Sequence, residues 1–209
     1  IGDNGAEIRV AQTSVFNGYI YAATIAGIRR ADITNKNLVD FNQWMQIAPG
    51  SWDSIETFGT ELVAVNSSGY IHKYNQASNS FTGYLQLPSL AVDMRKTANY
   101  LVVSTAGSVY LYNNQLALVR QININQVPES NVSFTCATTI DNVVYIGTKE
   151  HGLFNTTISV SSAFENDTPS GPSRNNIFAL QTNSNIMWTV YGDYSGTYNP
   201  YPLDSYGIS

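Results

Sequence analysis

The sequence predicts an all-β protein made of repeated antiparallel sheets, and three observations carry this prediction. Only 12% of the 209 residues are charged and tyrosine occurs 14 times, a composition that suits strands better than helices, which favour Ala, Glu, Lys and Leu. A glycine recurs in the same local setting along the whole chain. No segment places apolar residues at i, i+3, i+4 and i+7 over three turns, which excludes helical repeats.

The recurring glycine marks each repeat. The segment Asn66–Asn75, NSSGYIHKYN, returns as STAGSVYLYN at Ser104–Asn113. Because glycine readily adopts the positive φ that tight hairpin turns require, we expect it to lie between the second and third strands of each repeat. Five glycines share this setting at spacings of 42, 38, 45 and 44 residues: Gly27, Gly69, Gly107, Gly152 and Gly196.

Each glycine is preceded by a short run of β-branched and aromatic residues, then by a turn and another strand-like segment. The unit therefore contains three strands and usually a fourth, such as Ala117–Ile122. A period near 42 residues with four short strands is typical of a β-propeller blade. We predict one propeller domain, 1–209, with five blades at about 1–50, 51–88, 89–128, 129–174 and 175–209.

The fifth unit is predicted to be incomplete. Pro200 and Pro202 cannot donate to a central ladder, and no fourth strand is recognisable after them. The first residue is Ile, and no signal-peptide pattern is present. We therefore expect a processed chain or a piece of a longer protein, in which further residues complete the ring.

The second strands should form the core, because paired strands flank them and adjacent blades cover both of their faces. Truncation of such a residue to alanine should cost about 2–5 kcal/mol. The residues predicted to be mostly buried are Tyr21, Val63, Val65, Val102, Tyr145, Ile146, Met187 and Trp188.

The charge distribution excludes several partners. The net charge is −5, and no basic cluster occurs beyond Arg29 and Arg30. Nucleic acid and anionic membrane surfaces require a concentrated cationic footprint. No apolar run approaches the roughly 20 residues that span a bilayer, so no membrane span is predicted.

The residue pattern predicts no enzymatic activity, cofactor or metal site. His72 falls in a third strand and His151 in a turn, whereas a catalytic triad needs a nucleophile, a base and a carboxylate that converge. Cys136 is the one cysteine and falls on a first strand. Because no cationic neighbour activates it, we expect a buried, inert thiol. The acidic segment 165–172 consists of ordinary turn formers.

Aromatic residues near the end of the chain are the candidate binding residues. We predict that Tyr194, Tyr198, Tyr201 and Asp204 form a contact surface for a protein or a sugar, because exposed tyrosines stack on sugar rings or fill interface pockets. The alternative interpretation, that these tyrosines cover a blade edge, is equally open.

Two stretches carry a resemblance to known families. Residues 143–154, VVYIGTKEHGLF, resemble the repeat of two-component-regulator propellers, although only the fourth blade carries this motif well. Residues Ala31–Trp44 and Thr168–Ser209 resemble the amino-terminal propeller of PorZ-type proteins, which belong to the type IX secretion system of Bacteroidetes.

The PorZ resemblance implies a non-catalytic protein at the cell surface or in the periplasm of a Gram-negative bacterium. Members of that family have two propellers and a carboxy-terminal β-sandwich. They are partners of the sortase complex that attaches cargo to anionic lipopolysaccharide. This chain would then be part of one propeller.

Three functions compete at this point. The first is a scaffold propeller that binds protein partners of a surface secretion complex, with lipopolysaccharide or a glycan as a further ligand. The second is the glycan-sensing propeller of a hybrid two-component regulator. The third is a polysaccharide lyase or glycosidase, for which the sequence offers no paired carboxylates.

Overall fold

The computed structural model describes residues 2, 6–159, 163–167, 177–183 and 186–191. The chain divides into two units, Ile1–Asp167 and Thr168–Ser209. The first holds four antiparallel four-stranded sheets and the second holds a two-stranded one. The prediction of an all-β propeller fold with four-stranded antiparallel blades is confirmed. Among the described residues, no helix is long and apolar enough to cross a membrane.

In each four-stranded sheet, consecutive strands pair in chain order. Blade 1 consists of β1 (Val10–Phe16), β2 (Tyr19–Thr24), β3 (Gly27–Asp32) and β4 (Met45–Ala48). Blade 2 consists of β5 (Trp52–Phe58), β6 (Glu61–Asn66), β7 (Tyr70–Asn75) and β8 (Ser80–Gln86). Blade 3 consists of β9 (Ala91–Lys96), β10 (Leu101–Thr105), β11 (Ser108–Tyr112) and β12 (Leu118–Asn123). Blade 4 consists of β13 (Phe134–Ile140), β14 (Val143–Thr148), β15 (Leu153–Thr157) and β16 (Glu165–Asp167).

The remaining elements are few. The second unit pairs β17 (Ile177–Asn183) with β18 (Ile186–Tyr191). Two short 3₁₀ helices occur in the described connections, at Phe41–Gln43 in blade 1 and at Ile124–Gln126 after β12.

The repeat glycines occupy the predicted place. Gly27, Gly69, Gly107 and Gly152 all lie between the second and third strands of their blades, or at the first residue of the third, and Gly196 lies outside the described residues. Three of them have positive φ, of 130°, 78° and 73° at Gly27, Gly69 and Gly152.

Gly107 does not have positive φ, so the expectation that every repeat glycine would adopt it was wrong there. The turn at Gly107 is held by a side chain instead. The Thr105 hydroxyl accepts a hydrogen bond from the Ser108 amide at 3.0 Å and donates one to the Ser108 carbonyl at 3.1 Å.

Neighbouring blades pack face to face through alternate residues of each strand. On β6, Leu62 and Ala64 belong to the core shared with blade 1, whereas Val63 and Val65 belong to the core shared with blade 3. This division follows from the two-residue period of side chains along a strand. A central strand therefore serves two interfaces at once.

The innermost strands also bind one another across blades. The Thr57 amide donates to Ser14 Oγ at 2.9 Å, and Glu56 accepts from Gln12 Nε2 at 3.3 Å. The Lys96 ammonium of blade 3 lies 3.6 Å from Glu56. Polar side chains of three blades thus meet at the first strands.

The predicted core is confirmed at Tyr21, Val63, Val65, Val102 and Ile146, which are all buried. The side chain of Met187 lies outside the described residues.

Two residues of the predicted core are not buried. Tyr145 is half-buried, because it points to the opposite face of β14 from Ile146, which packs on blade 3. Trp188 is 53% exposed. Among the described strands β18 pairs only with β17, whereas the second strand of each four-stranded blade is flanked on both sides.

Candidate functional site

The tyrosine surface predicted from the sequence lies outside the described residues. Tyr194, Tyr198, Tyr201 and Asp204 all fall within 192–209, so this surface stays a prediction. The described residues present a concave site elsewhere, between blades 2 and 3.

Both histidines have structural surroundings. His72 Nδ1 donates to the Tyr70 carbonyl at 3.2 Å, and its ring meets Trp52 edge-on at 4.8 Å between centroids. His151 Nε2 donates to the Ser130 carbonyl at 3.0 Å. Neither imidazole is hydrogen-bonded to a carboxylate or a hydroxyl within the described part of the chain. The same residues include no group of three His, Cys, Asp or Glu side chains that could hold a metal ion.

Cys136 lies on a first strand, as predicted, but the expectation of a buried thiol was wrong. The residue is exposed. Its partner across the sheet is Gly147, which has no side chain to cover the sulfur. A Cβ atom at Gly147 would lie 2.8 Å from Cys136 Sγ, so the glycine of the Ile-Gly-Thr motif makes room for the thiol.

A cleft of about 590 Å³ lies between blades 2 and 3. The apolar core shared by these blades is built mainly from their first three strands and closes the space near the axis. The cleft lies beyond that core, where 84–88 of blade 2 face Tyr110, Tyr112, 116–118 and Gln121 of blade 3. It therefore opens beside the outermost strands, β8 and β12.

Two tyrosines of β11 line the base of the cleft. Tyr110 and Tyr112 are both buried, with Tyr112 only 3% exposed. Their rings are nearly parallel, at 19°, with centroids 6.4 Å apart. Leu85 and Leu118 are exposed at the sides. Among the described residues, no Asp, Glu, Lys, Arg, His or Cys lines the cleft.

Tyr84 spans the cleft from blade 2 to blade 3. Its hydroxyl donates to the Leu116 carbonyl at 3.1 Å. The Lys73 ammonium lies 4.3 Å from the centroid of its ring, which is within the range of a cation–π contact. The ring thus ties the two blades together at one end of the cleft.

The hydroxyls of Tyr110 and Tyr112, unlike that of Tyr84, have no hydrogen-bond partner among the described residues. Neither is a sealed polar atom inside the protein. Both hydroxyls therefore keep some contact with solvent, and both residues line the cleft. Burial raises the pKa of Tyr112, as do the neighbouring phenols of Tyr110 and Tyr84, so at neutral pH Tyr112 offers a protonated hydroxyl that can donate a hydrogen bond.

A second, smaller concavity lies at the starts of the first strands. It measures about 330 Å³ and is lined in part by Arg9, Ile25, Asp53 and Leu90. Burial raises the pKa of Asp53, and the charge of Arg9 opposes that shift. This region combines paired charges with exposed apolar side chains, so it lacks the uniform chemistry of the cleft.

Comparison with solved structures identifies proteins that share this fold. No family model matches the chain, and no curated protein matches it. Among solved structures the chain is similar to PorZ, a surface component of the type IX secretion system of Porphyromonas gingivalis, with a TM-score of 0.63 and 16% identity. The match covers 90% of this chain and 25% of PorZ.

Two further structures share the architecture. The extracellular domain of the hybrid two-component system BT3049 from B. thetaiotaomicron has a TM-score of 0.58 and 15% identity, over 92% of this chain and 30% of that one. The computationally designed protein Ika4 has a TM-score of 0.55 and 13% identity, over 75% of this chain and 95% of its own. The predicted resemblance to PorZ-type and two-component-regulator propellers is thus confirmed at the level of the fold. The chain spans less than a third of the two natural proteins.

The sequence did not predict the cleft, although it contained one signal. The repeated Tyr-Asn ending places Tyr74 and Tyr112 in equivalent positions, and a tyrosine facing the preceding blade needs a partner for its hydroxyl. Exposed leucines at Leu85 and Leu118 on outer strands complete the site. Only the packing of two blades against each other shows that these residues meet.

Proposed function

We propose that this chain is a non-enzymatic binding propeller of a cell-surface or periplasmic protein, and that it holds a protein partner in the cleft between blades 2 and 3. The observation that carries the proposal is the cleft itself, an open apolar concavity with buried tyrosine hydroxyls at its base. Aromatic and apolar side chains in a concave site are the usual anchors of protein interfaces.

The chemistry of the cleft favours binding over catalysis. Its lining includes no imidazole, thiol, carboxylate or amine, so it offers no group whose ordinary pKa suits proton transfer near neutrality. An uncharged lining also does not suit anionic lipopolysaccharide, which would need cations to replace its hydration. A protein partner therefore fits this cleft better than the delivery of lipopolysaccharide.

The likeness to PorZ supports an assembly of the surface secretion kind as the setting for that partner. The predicted surface of Tyr194, Tyr198, Tyr201 and Asp204 is proposed as a second contact for the same class of partner. Replacing its three tyrosines by serine should weaken capture of that partner and leave the thermal melt unchanged.

A glycan-sensing propeller is the second candidate. The amides of Gln86 and Gln121 and the exposed ring of Tyr84 in the cleft are groups that bind sugars, and the likeness to the BT3049 extracellular domain supports the same role. The experiment described next therefore also measures the binding of neutral oligosaccharides.

A pair of adjacent substitutions on β12 tests the proposal. Leu118 is 51% exposed and lines the cleft, whereas its neighbour Val119 is 43% exposed and does not. Purified Leu118→Asp, Val119→Asp and unaltered chains would each be immobilised and exposed to detergent extracts of the cell envelope of the source organism. We expect a protein of a surface secretion assembly to be retained by the unaltered chain and by Val119→Asp, and to be lost with Leu118→Asp.

Equal retention by both variants would show that the cleft is not the partner site. Retention of neutral oligosaccharides by the unaltered chain, lost with Leu118→Asp, would favour the glycan-sensing role instead. Thermal melts of the three chains should coincide, because both substituted side chains are exposed.

A further inference from the structure

We infer that the cleft between blades 2 and 3 takes an extended, uncharged peptide segment whose backbone carbonyls accept hydrogen bonds from the hydroxyls of Tyr110 and Tyr112. This inference rests on the proposed function, because it names the part of the protein partner that the cleft would hold.

The hydroxyls at the base of the cleft indicate a ligand with acceptor groups. Most polar groups of buried side chains have a hydrogen-bond partner. Tyr110 and Tyr112 are both at least nine-tenths buried, yet their hydroxyls have no partner in the described part of the chain and are not sealed from solvent. Both residues line the cleft. A bound backbone carbonyl would supply the missing acceptor.

The electrostatics of the cleft require that the bound segment be uncharged. Because no ionisable group other than tyrosine lines it, a charged side chain entering the cleft would lose its hydration without gaining an opposite charge. The nearby Lys73 ammonium is already placed over the Tyr84 ring. Apolar side chains would instead pack on Leu85 and Leu118, which are both exposed in the free protein.

The presentation of the aromatic rings favours a peptide over a sugar. Sugars stack on exposed ring faces, but Tyr110 and Tyr112 belong to the core of the blade interface and are only 5% and 3% exposed, which leaves little ring surface for stacking. The remaining ring, Tyr84, is exposed, but Lys73 occupies one of its faces. The cleft thus offers hydroxyl donors and apolar sides, which suit a peptide backbone with apolar side chains.

The outer strand of blade 2 favours an extended conformation. β8 pairs with β7 and with no other strand among the described residues, so the backbone groups on its outer edge are available. Its seven residues, SFTGYLQ, carry no charge, and the last five are exposed. Edge strands that lack charges and proline readily pair with an added strand, and the end of β8 forms one side of the cleft.

Selection from a random peptide library tests the chemistry of the ligand. A phage-displayed library of random dodecapeptides would be selected on the full chain, and the enriched peptides would be synthesised and titrated against it. We expect uncharged peptides with alternating apolar residues. Leu118→Asp should weaken their binding by more than about tenfold, whereas Val119→Asp should leave it unchanged.

The hydroxyl contact has its own variant. Tyr112→Phe keeps the ring and removes only the hydroxyl, which has no partner within the described chain, so folding should be unaffected. The affinity for the selected peptide should fall by about threefold to tenfold, as expected for the loss of one hydrogen bond. Amide hydrogen exchange along β8 should slow when the peptide binds, since the added strand would pair with its edge.

Three outcomes would overturn the inference. These are enrichment of charged peptides, cleft-dependent binding of a neutral oligosaccharide such as maltohexaose in place of peptides, and unchanged peptide affinity in Tyr112→Phe. Failure of the proposed function is distinguishable from these. If uncharged peptides bind as expected but no envelope protein depends on Leu118, the secretion partner is wrong and the peptide site stands.

Discussion

Near the outer strands, the interface between blades 1 and 2 holds a tyrosine whose hydroxyl is bonded within the protein, and we call it the closed interface. The interface between blades 2 and 3, the open interface, has a cleft there. A tyrosine occupies the corresponding place in each. Tyr74 is the second-last residue of β7 and Tyr112 is the last residue of β11. Both are followed by asparagine and both are buried. The two blades therefore present the same residue to the blade before them, and its surroundings decide whether a cleft forms.

Tyr74 has hydrogen-bond partners for its hydroxyl and aromatic neighbours for its ring. Its hydroxyl accepts a hydrogen bond from Arg30 Nη1 at 2.9 Å and donates one to Asn79 Oδ1 at 2.7 Å. Its ring meets Tyr21 and Phe81 with centroids 5.6 Å and 5.3 Å apart. Both hydrogen-bonding roles of this hydroxyl are therefore taken by described residues.

The surroundings of Tyr112 differ from those of Tyr74 at two residues. Arg30 pairs with Tyr21 of its second strand, and Lys73 holds the same position in blade 2 through its pairing with Val63. Lys73, however, lies over the Tyr84 ring. In the outer hairpin, the left-handed residue of blade 2 is Asn79, with φ of 48° and five residues after Tyr74. In blade 3 it is Leu116, with φ of 56° and four residues after Tyr112. The hydroxyl of Tyr112 thus loses both a donor and an acceptor, and the cleft is the result.

Truncation of the aromatic residues should produce the largest difference between the interfaces. Tyr74→Ala should lower the free energy of unfolding by about 3–5 kcal/mol, because it removes a buried ring. Tyr84→Ala should cost about 1 kcal/mol, since Tyr84 is exposed and contributes chiefly one hydrogen bond. Urea unfolding measures both values, and similar losses would show that the cleft is as tightly packed as the closed interface.

Transfer of the closed arrangement to the open interface should abolish binding. The double variant Lys73→Arg, Leu116→Asn gives Tyr112 the two kinds of partner that Tyr74 has. We expect a selected peptide to bind at least about tenfold more weakly, equivalent to about 1.4 kcal/mol. Asparagine tolerates positive φ better than leucine does, but Leu116 is a buried core residue, so a thermal melt must first show that the double variant is folded. Lys73→Arg alone is the control, and unchanged peptide affinity in the double variant would contradict the comparison.

Alkaline pH should weaken the closed interface by a smaller amount. Burial, together with the hydrogen bond to Tyr74, raises the pKa of Tyr21 to about 12, whereas a tyrosine in an unfolded chain has a pKa of about 10. Between these values the folded protein keeps a proton that the unfolded chain releases, so the free energy of unfolding falls as the pH rises through this window. Below the lower value the contribution is complete.

Tyr21→Phe should make that fall with pH shallower. The measurement is urea unfolding of both chains at neutral pH and again near pH 11, with the neutral values as the control for any loss of packing. A fall of equal size in both chains would show that Tyr21 does not titrate in this way.

Local patterns were sufficient to predict the blades. Gly27, Gly69 and Gly152 have positive φ, as expected for tight turns. The β-branched runs after the first turns became central strands. These features depend on residues close in sequence. The expectations for Cys136 and Trp188 were wrong because exposure depends on the residues of the neighbouring strands. The residue opposite Cys136 is Gly147, which has no side chain. Beside Trp188, β18 pairs with β17 alone among the described strands.

The cleft could not be predicted because it depends on contacts between blades. Tyr74 and Tyr112 look identical in sequence, each at the end of a third strand and followed by asparagine. They differ because Arg30, 44 residues away in sequence, donates a hydrogen bond to Tyr74, whereas Lys73 contacts the ring of Tyr84 instead of Tyr112. Such contacts between residues of different blades can be identified only in the three-dimensional structure.

The most direct test of the comparison removes the same single oxygen from both interfaces. Tyr74→Phe and Tyr112→Phe would be compared with the unaltered chain by urea unfolding at neutral pH. Tyr74→Phe should lower the free energy of unfolding by about 1–3 kcal/mol, because Arg30 and Asn79 lose their shared partner, while Tyr112→Phe should change it by less than about 0.5 kcal/mol. Equal losses in the two variants would show that the Tyr112 hydroxyl is already satisfied inside the protein and is not available to a ligand.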